Sequence, residues 1–152
     1  MGKSRLYPRY SHTQTGWVII GALLAGACVV GASTYDSTLF PPWPIFAILG
    51  VIFIFFSTLT VTVDDLRVQA AFGMGLKMPA IELANVATAE HVENSFFNGW
   101  GIRFLPGGIL YNVSGYQAVQ LTTREGYVYR LGTDDPEGLL RAIQMRLEGM
   151  RA

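Results

Sequence analysis

The sequence predicts a membrane protein of the α + β class: a two-helix transmembrane hairpin, then a small antiparallel β-barrel or sandwich, closed by one C-terminal helix. Three observations predict it. No charged residue occurs from Thr13 to Tyr35 or from Ser37 to Val63, and two neighbouring apolar runs of that length suit paired bilayer spans. From Thr60 the pattern changes to short alternating runs separated by Gly, Asn and Asp, which is how antiparallel strands and their turns read. Asp134-Asp135-Pro136 then opens a stretch in which Leu139, Leu140, Ile143 and Leu147 share one helical face.

These patterns divide the chain into a cytoplasmic tail over 1–15, the hairpin over 16–63 and a cytoplasmic domain over 64–152. With 51% hydrophobic and only 14% charged residues among 152, the composition is too apolar for a water-soluble chain of this size. The residues after the hairpin suffice for one small domain. The zero net charge hides a segregation: Lys3, Arg5 and Arg9 precede the first run, Asp36 sits between the runs, and eight basic against ten acidic residues come after Val63. A mildly acidic domain does not predict nucleic acid as a partner. Cys28 is the only cysteine, so no internal disulfide can form.

The first span is expected from Gly16 to Tyr35, with Trp17 at one end and Tyr35 and Trp43 at the other as interfacial rings. Leu24-Ala25-Gly26-Ala27-Cys28 approaches a lipoprotein cleavage box, but the run exceeds a signal-peptide core and reads as a retained helix. The second span is expected from Pro44 to Val63, where proline suits a first helical turn. Basic residues flank the outer ends of the pair and none lies between the spans. Both termini are therefore expected in the cytoplasm, in a multi-pass membrane protein.

Gly21, Ala22, Gly26, Ala27 and Gly31 are candidate helix-packing residues. Ala22/Gly26 and Ala27/Gly31 have the small-xxx-small spacing that lets helix backbones approach closely. The expected use of that face is packing on the bulky second span; the alternative is a helix of another protein.

Strands are expected at Thr60–Val63 and Leu66–Phe72, joined by an Asp64-Asp65 turn, so the first strand grows directly from the second span. Further strands read at Lys77–Ile81, Val86–Val92, Gly101–Leu105, Ile109–Val113, Ala118–Thr123 and Tyr127–Leu131. Arg141, Arg146 and Arg151 are placed off the apolar face or at the end of the closing helix.

Asn98-Gly99-Trp100-Gly101-Ile102-Arg103, Tyr111-Asn112-Val113-Ser114-Gly115 and Leu131-Gly132-Thr133-Asp134-Asp135-Pro136 with Leu139-Leu140 beyond it resemble segments of bacterial pleckstrin-homology-like (PH-like) proteins with an N-terminal transmembrane hairpin. The resemblance covers about residues 16 to 150 and rests on structural rather than catalytic motifs. It implies a seven-stranded PH-like barrel with a C-terminal capping helix. Phosphoinositide-binding members carry a basic first hairpin; Asp64-Asp65 stands there instead, which removes the convergent donors a phosphate needs.

Little reactive chemistry is expected. His12 and His91 have no cysteine or second histidine at ligand spacing, and alternation puts Glu90 and His91 on opposite strand faces. Phe72-Gly73-Met74-Gly75 lacks the rest of a dinucleotide fingerprint. Asp134-Asp135 is explained by helix capping. Neither span holds an ionisable residue of the kind transport requires. Phe96, Phe97 and Trp100 form an aromatic cluster in a loop, for which core packing is the default reading and a candidate partner contact or a membrane-dipping loop the alternative. The expectation is a non-enzymatic accessory or scaffolding subunit without cofactor or metal. Its partners would be the lipid bilayer and other integral membrane subunits, with a photosynthetic reaction centre and antenna or a respiratory assembly as a plausible host. The alternative is a stand-alone membrane-anchored module binding lipid or peptide.

Overall fold

The structure, a computed structural model, describes residues 10–35 and 41–151. Lys3, Arg5, Arg9 and Asp36, which carry the orientation expectation, lie outside the described residues. The chain is α + β, with three α-helices and two five-stranded sheets among the described residues.

Thr-Leu-Thr-Val-Thr-Val is uncharged, yet its strict alternation and β-branched residues favour a strand over a helix. The second helix accordingly stops early: α2 is Trp43–Phe56 and strand β2 is Thr58–Val63. The span expected to reach Val63 is thus 14 helical residues, ~21 Å of rise against a hydrocarbon core of ~30 Å. Helix α1, Trp17–Thr34, has 18 residues, or ~27 Å.

The expected N-terminal tail over 1–15 is described from Tyr10 onward. Its described part is strand β1, Tyr10–Thr15, which pairs antiparallel with β2 from Tyr10↔Val63 to Thr15↔Thr58. The helical pair is therefore an insertion at the tip of a β-hairpin rather than a segment preceding the domain. β1 is polar, so only its pairing with β2 and the contacts of Tyr10, His12 and Gln14 identify it as structured.

The first sheet continues with β3, Arg67–Phe72, and the two-residue strands β4, Leu76–Lys77, and β5, Ile81–Glu82. The single strand expected at Lys77–Ile81 is thus two short bridges to β3. Leu59, Val61 and Val63 of β2 and Val68, Ala70 and Phe72 of β3 are buried, while the intervening threonines are not.

The second sheet comprises β6 (Val86–Glu93), β7 (Gly101–Leu105), β8 (Gly108–Asn112), β9 (Gln117–Thr123) and β10 (Val128–Gly132), in the order β6-β9-β10-β8-β7. β10 lies between β9 and β8 and pairs parallel with β8, from Val128↔Gly108 to Leu131↔Tyr111. The all-antiparallel series expected from the sequence is corrected here. Glycines permit the insertion: a Cβ at Gly108 would lie 2.1 Å from the Val128 carbonyl oxygen, and one at Gly132 would lie 2.2 Å from Asn112 Oδ1.

The sheets face one another across a core in which Phe72 meets Tyr111 edge-on, ring centroids 6.1 Å apart. No strand pairing joins the two sheets among the described residues, so the arrangement is not a closed barrel. Helix α3, Pro136–Arg151, lies against β1 and β2 of one sheet and β6 and β9 of the other. Its buried face is Leu139, Ala142, Ile143, Arg146 and Leu147, a regular i, i+3, i+4, i+7 stripe. Arg146, expected on another face, is buried; its guanidinium donates to the Ala142 and Val63 carbonyls. Asp135 caps this helix by accepting the Gly138 N–H at 3.0 Å.

Candidate functional site

The candidate site is the end of the two-sheet domain from which the helices leave. Gly16 N–H donates to the Ser57 carbonyl at 2.7 Å, closing the β1–β2 ladder where α1 begins and α2 ends. A Cβ at Gly16 would sit 3.0 Å from that oxygen and 3.1 Å from Val113 Cβ, so close backbone approach explains this glycine. Phe56, the last residue of α2, packs on Phe72 at a centroid distance of 5.4 Å. An aromatic column from Phe56 through Phe72 to Tyr111 therefore ties the helix base to both sheets. Gly73, at φ 49°, turns β3 toward β4 against the carbonyls of Ile54 and Phe55.

Neither helix has a buried residue. Leu24 and Val29 on α1, and Phe46, Ile48, Val51 and Phe53 on α2, are among many exposed apolar side chains. By length and composition α1 is sufficient to cross a membrane, and α2 is shorter. Thr34 donates its hydroxyl to the Val30 carbonyl one turn back, which satisfies it without a partner helix.

Of the candidate packing residues, Gly21 and Ala22 are exposed, whereas Gly26, Ala27 and Gly31 are half-buried on the side shared with Leu23 and Val30. A Cβ at Gly21, Gly26 or Gly31 would meet nothing within 4 Å. At these three glycines no atom of α2 comes within 4 Å of that position.

Three turns converge on this same end. The register Gly101↔Asn112 and Glu93↔Gln117, with Asn94 N–H donating to the Tyr116 carbonyl at 2.6 Å, places the 94–100 loop beside the 113–116 turn, and Val113 adjoins Gly16. In that loop Phe96 and Trp100 meet edge-on at 5.7 Å, Phe96 and Phe97 at 6.1 Å, and Trp100 reaches Tyr116 at 6.5 Å. Trp100 is half-buried, whereas Phe97 is 94% exposed. Ser95 Oγ accepts the Phe97 N–H, and Arg103 Nε donates to the Trp100 carbonyl at 3.0 Å, fixing both ends of the loop. The grouping of Phe96, Phe97 and Trp100 is readable from sequence. The addition of Tyr116 is not, because it depends on strand register.

The histidines have specific neighbours. His12 Nε2 contacts Asp134, and Tyr10 donates its hydroxyl to Asp135 Oδ2 at 2.9 Å, so two residues of β1 engage the start of α3. Burial first, then the Asp135 and Asp134 carboxylates, holds the Tyr10 phenol well above its ordinary range. His91 is exposed and contacts Gln117. Asp64 organises its turn by accepting the N–H groups of Leu66 and Arg67 at 3.0 and 2.9 Å. Partial burial raises its carboxyl pKa, but these donors and the Arg67 guanidinium outweigh it and hold the group below the usual carboxylate value. Among the described residues no cluster of three His, Cys, Asp or Glu side chains is present. An open cleft of about 480 Å³ lies at the opposite end, lined by Asn85, Thr123, Arg124, Glu125, Tyr127 and Tyr129.

The class defined by this geometry is an α + β two-sheet domain interrupted at one β-hairpin by an apolar helical pair. Comparison with protein-family models, with curated proteins and with solved structures gives no match to the chain.

Proposed function

We propose that the chain is a non-enzymatic accessory or scaffolding subunit of an integral membrane complex in the bacterial inner membrane. In this reading α1 and α2 are lipid-embedded and pack on helices of other subunits. The observation that carries it is the uncovered apolar pair: two charge-free helices without a buried residue, rooted in the β-domain by the Gly16–Ser57 bond and the Phe56–Phe72 contact. Apolar area of this extent requires a cover, and lipid with neighbouring helices supplies one. A second helix shorter than the hydrocarbon core is accommodated by local thinning or by association with partners. The open faces at Gly21, Gly26 and Gly31 suit close approach by a partner helix.

Because β1 and β2 pair on either side of the helices, insertion of the pair leaves both on one side of the bilayer. That supports a shared side for both termini, and the basic residues flanking the outer ends of the pair favour the cytoplasmic one. The PH-like reading is retained only for the general layout of two sheets with a C-terminal helix against the core, since the parallel β8–β10 pair departs from a PH meander. A bioenergetic complex is the host class proposed. The test is mild-detergent extraction with native electrophoresis and mass spectrometry. Co-migration with partners in fixed stoichiometry is expected, and migration as a lone monomer refutes the subunit reading.

A stand-alone membrane-anchored module binding lipid or peptide is the second reading, favoured by the open cleft beside Tyr127 and Tyr129. Saturable peptide capture at that cleft by the lone, full-length protein would support it.

A further inference from the structure

Three turns beside the helix bases are apolar, whereas Glu93 at the end of β6 and Asp134-Asp135 at the start of α3 border them through Gln117, which pairs with Glu93 and accepts the Thr133 N–H on its carbonyl. At the end where the helices leave, the three turns over 73–76, 94–100 and 113–116 contain no charged residue. They present Met74 at 85% exposure, Phe96 at 63% and Phe97 at 94%, with Leu76 and Tyr116 also exposed. At the opposite end the turns carry Asp64, Asp65, Arg124 and Glu125. The apolar turns share a location fixed by contacts: Gly73 against the last carbonyls of α2, Val113 against Gly16, and the 94–100 loop against Tyr116.

We propose that this end of the domain is a second membrane-binding element, in which Phe96, Phe97, Met74 and Leu76 enter the headgroup–acyl boundary of the bilayer that holds the helices. The inference rests on the reading of α1 and α2 as lipid-embedded. A lipid surface is the occupant that fits, because the turns at Gly73 and Val113 touch the helix bases and the 94–100 loop packs on the second of them through Tyr116. Lys77 and Arg103 stand at its rim, both exposed, where their stems can lie on apolar surface and their charges can reach headgroups. Trp100 supports the element from behind, holding Phe96 edge-on and contacting Tyr116. Aromatic and aliphatic side chains at this depth gain by burying apolar area in the interface. With the helices as a tether and this face as a footing, the domain has one fixed orientation on the cytoplasmic leaflet.

The test uses the full chain in phosphatidylcholine–phosphatidylglycerol vesicles with nitroxide labels at single cysteines. The native Cys28, exposed on α1, reports on the helices. Phe97→Cys and Met74→Cys report on the proposed footing, and Glu125→Cys on the far end, each made with Cys28→Ala. Several-fold higher accessibility to oxygen relative to an aqueous nickel chelate is expected at Cys28, Phe97→Cys and Met74→Cys than at Glu125→Cys. Lipid-like values at Cys28 with water-like values at Phe97→Cys and Met74→Cys would overturn the footing and leave the helical anchor intact. Shielding of the turn labels from both reagents would mean a protein contact and also overturn it. Water-like values at Cys28 would overturn the membrane reading and this inference together.

Discussion

Replacing Gly73 with alanine tests the docking of the β-domain on the base of α2. Gly73 has φ 49°, and an added Cβ would lie 2.1 Å from the Ile54 carbonyl oxygen and 2.7 Å from that of Phe55. The left-handed conformation alone costs alanine roughly 1–2 kcal/mol. The steric conflict is with backbone at the end of a helix and cannot be relieved by rotating a side chain. The turn must therefore move away from α2, loosening the Phe56–Phe72 contact at a further cost of about 1–2 kcal/mol. A total of about 2–4 kcal/mol is expected, read as a large fall in the unfolding midpoint of detergent-solubilised protein. Gly107→Ala is the comparison, because its φ of 73° lies near the same left-handed region but no atom lies within 4 Å of the added Cβ. Equal loss in the two variants, or a change in Gly73→Ala below about 0.5 kcal/mol, would refute the close approach of the turn to the helix.

Other perturbations probe the core, the contact between β1 and α3, and the helical pair. Phe72→Ala removes a fully buried ring that joins the helix base to both sheets and should cost about 3–5 kcal/mol, measured by denaturant unfolding. Tyr10→Phe should cost about 1–2 kcal/mol by removing the bond to Asp135. Because the folded phenol pKa is raised, its contribution is present below the ordinary tyrosine value of about 10 and falls as pH rises beyond it. Wild-type stability should therefore decline on the alkaline side more steeply than that of Tyr10→Phe, and parallel pH profiles would contradict a Tyr10–Asp135 latch. Ile48→Asp places a charge near the middle of α2, at a cost of about 2.5–3.5 kcal/mol. The ten Ile, Leu, Val and Phe residues of that helix together favour insertion by roughly 3–6 kcal/mol. Its steady-state level in the membrane fraction should drop severalfold, whereas Ser11→Asp on the outer face of β1 should not change it.

The fold is legible where side-chain period alone decides it. The alternation of Thr60–Val63, the apolar stripe of α3 and its Asp135 cap all obey local rules, and each is present in the structure. Even so, charge-free composition obscures the boundary between α2 and β2, since Val and Thr serve membrane helices and strands alike. β1 is hard to read because its residues are polar and its stability comes from a partner more than forty positions away, Thr13 against Thr60. The parallel β8–β10 pair is hidden for a similar reason: Gly107-Gly108 reads as a turn, and its use as a gap for the β10 backbone depends on the tertiary arrangement. Arg146 lies at the position of the apolar stripe seven residues after Leu139; its charge argues for exposure, and backbone carbonyls at the helix–sheet junction accommodate it. At the candidate site, the aromatic loop is readable but its place beside the helix base is not.

In the proposed topology the helices leave and re-enter one sheet, which puts β1 and the β-domain on the same side of the membrane. Impermeant thiol labelling of Ser11→Cys and Glu125→Cys, each with Cys28→Ala, in sealed inverted inner-membrane vesicles tests this most directly. Both thiols should react before permeabilisation, to the same extent. Reaction of only one until detergent is added would contradict the shared location.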